Sequence, residues 1–365
     1  MMADPNDTLW PLEPHTEAKH RILRRYLQAW FPILSTWHGR VVYLDGFAGP
    51  GEYRGGEPGS PLIVLDLAMQ HVLPLDAKLV FIFVEVRPDR CAHLFRLVDA
   101  KRPTLPNNFS VRVIQAEFQD VLREFLDDLD ERTAEIAPFF AFIDPFGTKG
   151  VPMSLIHRLL LRPRTEVFIN FNVRGHYRFA DHQLEAYRNN NIEAFGTDEI
   201  LAISQETDRD AFVRVLYERQ LREVASFVRF FRMLDQKNVS IYDLFFATNN
   251  DKGHVEMKNA MWKVDNWGSF RFSDATDPNA WVLFHAEPER DLLPQLLARA
   301  AGRKGIEVRH IRTWVERKTA FLAKHMKAAL KLAEQSGQIV PRPIKSDGQP
   351  RHGKTFPDAV IVDFV

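Results

Sequence analysis

Apolar residues along this chain recur with two different periods, and the alternation between them sets the first expectations. From His15 to Leu34, Ile22, Leu23, Tyr26, Leu27, Trp30 and Phe31 return every three or four positions, which predicts an amphipathic helix ended by Pro32. Short apolar runs follow at 41–45 (VVYLD), 79–85 (LVFIFVE), 111–115 (VRVIQ), 139–144 (FFAFID) and 166–171 (EVFINF). Runs this apolar suit strands covered on both faces. Helical patterns near 60–72, 88–99, 118–130 and 152–161 separate them and have the length of crossover connections, so the reading is a parallel, doubly wound sheet.

The alternation then changes. A polar helical stretch runs from about Gly175 to Glu223, followed by two strand candidates, 227–234 (FVRFFRML) and 241–248 (IYDLFFAT), and a helix-like KNAMWKV. Two strands in succession predict a hairpin closing one sheet edge. From about Arg290 the pattern becomes three short helices (DLLPQLLARAA, EVRHIRTWVERK, AFLAKHMKAALKLAEQ), then IVPRPI and AVIVDF around a Gly/Pro/Lys-rich loop, a winged-helix outline. The expected organisation is an α/β domain over residues 1–285, with a helical insertion near 175–225, and a basic winged-helix-like domain over 286–365.

Charge adds an asymmetry that the balanced totals, 48 basic against 48 acidic, conceal. Between Arg299 and Lys354 fourteen Lys and Arg face four acids, about +10, whereas Glu117 to Glu135 carries eight acids against two arginines, about −6. A polyanion would meet the C-terminal end, which points to RNA or DNA as a partner. One cysteine, Cys91, excludes a disulfide framework and a cysteine-held metal, and the thirteen histidines show no ligand pair, so no metal is expected. The N-terminus lacks a signal-peptide pattern and no run of eighteen apolar residues occurs, so the expected location is cytoplasmic, away from membranes.

The chemistry is concentrated at strand ends. VVYLDGFAGPG places Asp45 at the end of a strand and opens a loop with Gly46, Phe47, Ala48, Gly49 and Gly51. Glycines admit a ligand close to the backbone, and a strand-end acid can receive an ammonium group. The spacing is G-x-x-G-x-G and not the G-x-G-x-x-G of dinucleotide sites; D-x-F-A-G-x-G resembles motif I of amino-methyltransferases acting on nucleic-acid bases. Glu85 at the end of the second run is placed to accept ribose hydroxyls, and Glu117 after the third to accept an adenine amino group. After the fourth stand Asp144, Pro145, Phe146 and Gly147, where amino-methyltransferases carry D/N-P-P-Y/F. Such a loop offers the Asp144 carboxylate and Pro145 carbonyl as acceptors and Phe146 as a stacking face, aiming an exocyclic amine at a methyl donor. DPFG departs from DPPY and resembles the corresponding loop of the tRNA guanine-N2 dimethyltransferases.

Taken together, EPHTEAKHRILRRYL, YLDGFAGPGEYRGGEPGSPLIVL, AFIDPFG and IYDLFFATN followed by KNAMWK resemble the three-Cys-motif partner (TcmP) family over nearly the whole chain. The resemblance implies a Rossmann-like class I methyltransferase sheet, S-adenosylmethionine as cofactor, a C-terminal winged helix, and a radical-SAM-like partner bearing three cysteines. It also implies that Thr16 and Lys19 face the cofactor. The expected activity is methylation of an exocyclic amine of a nucleic-acid base; the alternative is a non-catalytic protein that binds S-adenosylmethionine and nucleic acid for that partner. Arg312, Arg317, Lys318, Lys324 and Lys327 are the expected phosphate contacts, with Arg342 to Lys354 as the wing.

Overall fold

A computed structural model describes residues 7–37, 39–133, 135–145, 150–178, 185–265, 267–275 and 287–365. The chain divides into two compact units, residues 1–264 with 271–277, and 265–270 with 278–365.

The first unit opens with α1 (Pro14–Trp37) and β1 (Arg40–Asp45), then alternates α2 (Ser60–Met69), β2 (Lys78–Val84), α3 (Pro88–Lys101), β3 (Phe109–Ile114), α4 (Phe118–Glu131), β4 (Phe139–Ile143), α5 (Met153–Leu160) and β5 (Thr165–Phe171). Two 3₁₀ segments, α6 (Glu185–Phe195) and α7 (Arg209–Arg222) lead to β6 (Phe227–Leu234) and β7 (Ser240–Thr248); α8 (Asp251–Trp262) and the short β8 (Arg271–Ser273) complete it. The strands lie in the order β3-β2-β1-β4-β5-β7-β6-β8, parallel except for β7, which runs antiparallel to both neighbours. The sheet is Rossmann-like and doubly wound, in the order of class I methyltransferases, with the expected hairpin inserted beside β5. β8, three residues long and paired with β6, was not evident from the pattern.

Side chains alternate across each strand, and the two rows bury against different layers. Val42 and Leu44 of β1, Phe139, Ala141 and Ile143 of β4, and Val167, Ile169 and Phe171 of β5 join α4 and α5 in one core. The opposite row is aromatic. Tyr43 stacks on Phe140 at 5.8 Å, and α1 lays Tyr26 and Trp30 on Phe140 and Phe31 on Phe81.

Pro32 does not end α1, as the sequence suggested; the helix continues to Trp37. A proline removes one N–H and leaves the carbonyl four residues back without its helical donor. Here that carbonyl belongs to Gln28, and the His71 Nε2 donates to it at 3.0 Å.

The second unit runs α9 (Pro288–Ala300), β9 (Ile306–Glu307), α10 (Val308–Lys318), α11 (Ala323–Gln335), β10 (Ile339–Pro341) and β11 (Ile361–Phe364). Its sheet has the order β10-β11-β9, all antiparallel, and the long β10–β11 connection is pinned by an Ile344–Pro350 bridge. Val308, Ile311, Val315, Met326, Leu330, Val360 and Val362 form its buried centre.

Candidate active site

The loop after β1 is organised by Asp45, whose side chain is fully enclosed. One carboxylate oxygen accepts from the Phe47 N–H at 3.2 Å and the other from the Ser60 hydroxyl at 2.6 Å. Burial pushes its pKa up to about 7, against the hydrogen bond from Ser60 that lowers it. Gly46 is required by contact, since a Cβ there would lie 2.4 Å from the Phe118 ring; Gly51 has φ +90° and Leu94 2.7 Å from where a Cβ would sit. Ala48 is buried, and its N–H reaches the Val84 carbonyl, tying the loop to β2.

Glu85, 4% exposed, closes the same loop from β2. Its oxygens accept from the Gly49 N–H at 3.0 Å and the Arg87 N–H at 2.8 Å, while burial raises its pKa. A cleft of about 300 Å³ opens beyond it, lined by Gly46, Phe47, Glu85, Arg90, Glu117 and Phe118 among others. The cleft therefore sits outside the carboxyl ends of β1, β2 and β3, where open α/β sheets place ligands. Glu117 is solvent-exposed at the start of α4 on its wall.

Asp144 follows β4 and is held by two residues from different elements. Lys19 of α1, itself buried, donates to Oδ2, and Asn170 of β5 donates to Oδ1. The Lys19 ammonium also lies 5.5 Å from the Tyr242 ring and 5.9 Å from that of Phe142. Thr16 hydrogen-bonds the Tyr242 side chain, and Tyr242 donates to the His15 carbonyl at 3.2 Å. Lys19 thus meets the Asp144 carboxylate and is within electrostatic reach of Asp45, and Thr16 meets Tyr242. His20, the next residue after Lys19, is kept neutral, its pKa lowered to about 3 by burial and by Lys19. Pro145 lines a small cavity with Asn170, Asn172 and His176. Phe146 and Gly147 lie outside the described residues.

Sequence reading missed Ser60, Asn170 and Tyr242. Asn170 did leave a signal, as one of two polar residues, with Glu166, in the apolar run EVFINF. Ser60 is a helix-start residue and Tyr242 an ordinary strand aromatic; neither type distinguishes a site.

In the C-terminal unit, Arg312 is engaged with Asp358 at 2.8 Å and Glu316 at 3.0 Å. Arg317, Lys318, Lys324 and Lys327 are exposed on α10 and α11. In the β10–β11 connection, Arg342 pairs with Asp363 and Arg351 with Glu334. Among the described residues no helix is long and apolar enough to cross a membrane, and no cluster of His, Cys, Asp and Glu is arranged to hold a metal.

No family model and no curated protein matches this chain. Solved structures align with it at low identity. An O-methyltransferase from Bacillus cereus in complex with SAH is 14% identical over 62% of this chain and 80% of its own, with a TM-score of 0.34. Trm1 from Pyrococcus horikoshii in complex with S-adenosyl-L-methionine is 13% identical over 93% of this chain and 80% of its own, TM-score 0.36. Spermidine synthase from Thermotoga maritima is 11% identical over 65% and 61%, TM-score 0.34. The fold assignment rests on the strand order of the sheet itself.

Proposed function

We propose that the protein binds S-adenosylmethionine in the cleft beyond β1–β3 and methylates an exocyclic amine of a nucleic-acid base, as a protein of the TcmP type. The observation that carries this reading is the convergence, at one end of one sheet, of the glycine loop, Glu85 and Asp144. The residues fit the cofactor: Gly46 lets the Phe118 ring pack directly on the loop backbone at the cleft wall, and each carboxylate oxygen of Glu85 retains lone-pair capacity beside its backbone donor. Asp45 fits a different role from the one its position suggested, holding the loop's shape from inside.

Bound S-adenosylmethionine supplies an electrophilic methyl group. The chain supplies orientation. Asp144 accepts a hydrogen bond from the target amine, the Pro145 carbonyl offers a second acceptor, and Lys19 and Asn170 fix the carboxylate so that the nitrogen lone pair is aimed. The C-terminal unit, with its helix–strand–helix–helix–strand–strand order and small antiparallel sheet, is a winged helix in this reading, and holds phosphates through its exposed basic residues. The cysteines of the three-Cys-motif partner would supplement a chain that has only the buried Cys91.

Calorimetry with S-adenosylmethionine, S-adenosylhomocysteine and NADH tests the cofactor; heat with NADH alone sinks the assignment. Methyl transfer to total tRNA, rRNA and DNA, with the partner present and absent, tests the reaction. A non-catalytic binding role is favoured by one observation, the engagement of both Asp144 oxygens by the chain's own donors. Cofactor and nucleic-acid binding without transfer in either arm would select it.

A further inference from the structure

Most arginines of the C-terminal unit are neutralised within it. Arg290 pairs with Glu287, Arg309 with Glu307, Arg312 with Glu316 and Asp358, Arg342 with Asp363, and Arg351 with Glu334. Arg299, Arg303 and Lys304 make no close ion pair among the described residues, although Asp363, which accepts from the Gly305 N–H, is within electrostatic reach of Lys304. All three border one concavity of about 270 Å³, together with His310, Trp314 and Phe364, and no carboxylate lines it. It is built from the end of α9, the turn before β9, Ile306 of β9, α10 and Phe364 of β11; no residue of α11 or of the β10–β11 connection lines it.

We propose that this cleft binds one nucleoside phosphate unit. The Arg299 guanidinium lies over the Trp314 ring, 5.0 Å from its centroid, which makes a flat cationic platform of the kind on which an unstacked base rests. Arg303 and Lys304 are exposed on a turn between Gly302 and Gly305, whose φ values are +68° and +72°, and they supply charge for the phosphate at the rim. A concavity of this size has room for a single nucleotide. The chemistry is shared by a free mononucleotide and by one unit of a single strand, and the site is separate from the exposed lysines of α11.

The test uses the full chain with saturating S-adenosylhomocysteine, so that adenosine recognition elsewhere is blocked, and titrates AMP, adenosine, inorganic phosphate and a single-stranded hexanucleotide. AMP should bind at least tenfold tighter than adenosine or phosphate. Arg303→Glu with Lys304→Glu should weaken AMP at least tenfold with unchanged thermal melting, and Arg299→Leu should do so by removing the platform. A double charge reversal on the other unit, Arg132→Glu with Lys237→Glu, should stay within about twofold of the parent. A hexanucleotide bound tenfold tighter than AMP identifies a strand as the source; equal affinity identifies the free nucleotide. AMP binding untouched by the Arg303 and Lys304 reversal, or matched by phosphate alone, overturns the proposal. Because the cleft is independent of methyl transfer, failure of S-adenosylhomocysteine to bind would count against the cofactor reading alone; the comparison of variants still decides this one.

Discussion

Asp45 and Asp144 end adjacent strands, β1 and β4, and the surrounding packing gives them different work. Asp45 is sealed, with its pKa raised by burial from the ordinary 3.8 to about 7, so the folded chain holds this proton more tightly than the unfolded chain. Its contribution to stability is therefore complete below about pH 4 and lost as pH rises through 7, a change on the order of 4 kcal/mol. Thermal melting from pH 5 to 8.5 should show Asp45→Asn less sensitive to pH than the parent; parallel curves would refute the assignment. Asp144 is partly exposed and ion-paired. Lys19→Met should lower methyl transfer about tenfold to a hundredfold, the size of a lost hydrogen bond to a charged group, while leaving S-adenosylhomocysteine affinity within twofold. Lys19→Arg should recover part of the rate. Equal losses in turnover and affinity would instead return Lys19 to the cofactor pocket. The acids themselves were legible because strand ends are legible. Their partners were not, since Ser60, Asn170 and Lys19 reach them from other elements, and periodicity carries no information about which elements touch.

At the scale of elements, the polar group buried beneath α1 matters as much as the aromatic layer. Glu166 of β5 accepts from the Tyr26 hydroxyl at 2.5 Å, the Trp30 indole at 2.6 Å and the Thr248 hydroxyl at 2.9 Å. It also lies against the first turn of α8, where a Cβ on Gly253 would fall 2.1 Å from its Oε1. Replacing a helical glycine by alanine normally stabilises by up to about 1 kcal/mol. Gly253→Ala should do the reverse, costing about 2–4 kcal/mol in urea unfolding, whereas Gly39→Ala, with nothing within 4 Å of its Cβ, should change little. A neutral Gly253→Ala would mean that Glu166 can move aside freely. The strand runs and crossover helices of the sheet were readable from period alone. Pro32 misled because its local rule is overridden by His71, 39 residues later in the chain, and β8 is too short to display a period.

For the whole molecule, zero net charge hides a basic C-terminal stretch and an acidic α4. If about four phosphates are neutralised on binding, nucleic-acid affinity should fall about a hundredfold between 50 and 200 mM salt. Lys324→Glu with Lys327→Glu should flatten that slope for duplexes in gel-shift titrations; an unchanged slope would move the contact elsewhere. The seating of α1 has a consequence during synthesis. Tyr26 and Trp30 precede Glu166 by 140 and 136 residues, and Lys19 precedes Asp144 by 125. At roughly 5–20 residues per second, the ribosome takes roughly 7–30 seconds to deliver Glu166 after Tyr26. β1, α2 and β2 emerge early enough to receive part of the apolar stripe of α1, but Tyr26 and Trp30 wait for Phe140 and Glu166, which makes this part of the helix a stretch of nascent chain that a chaperone would hold.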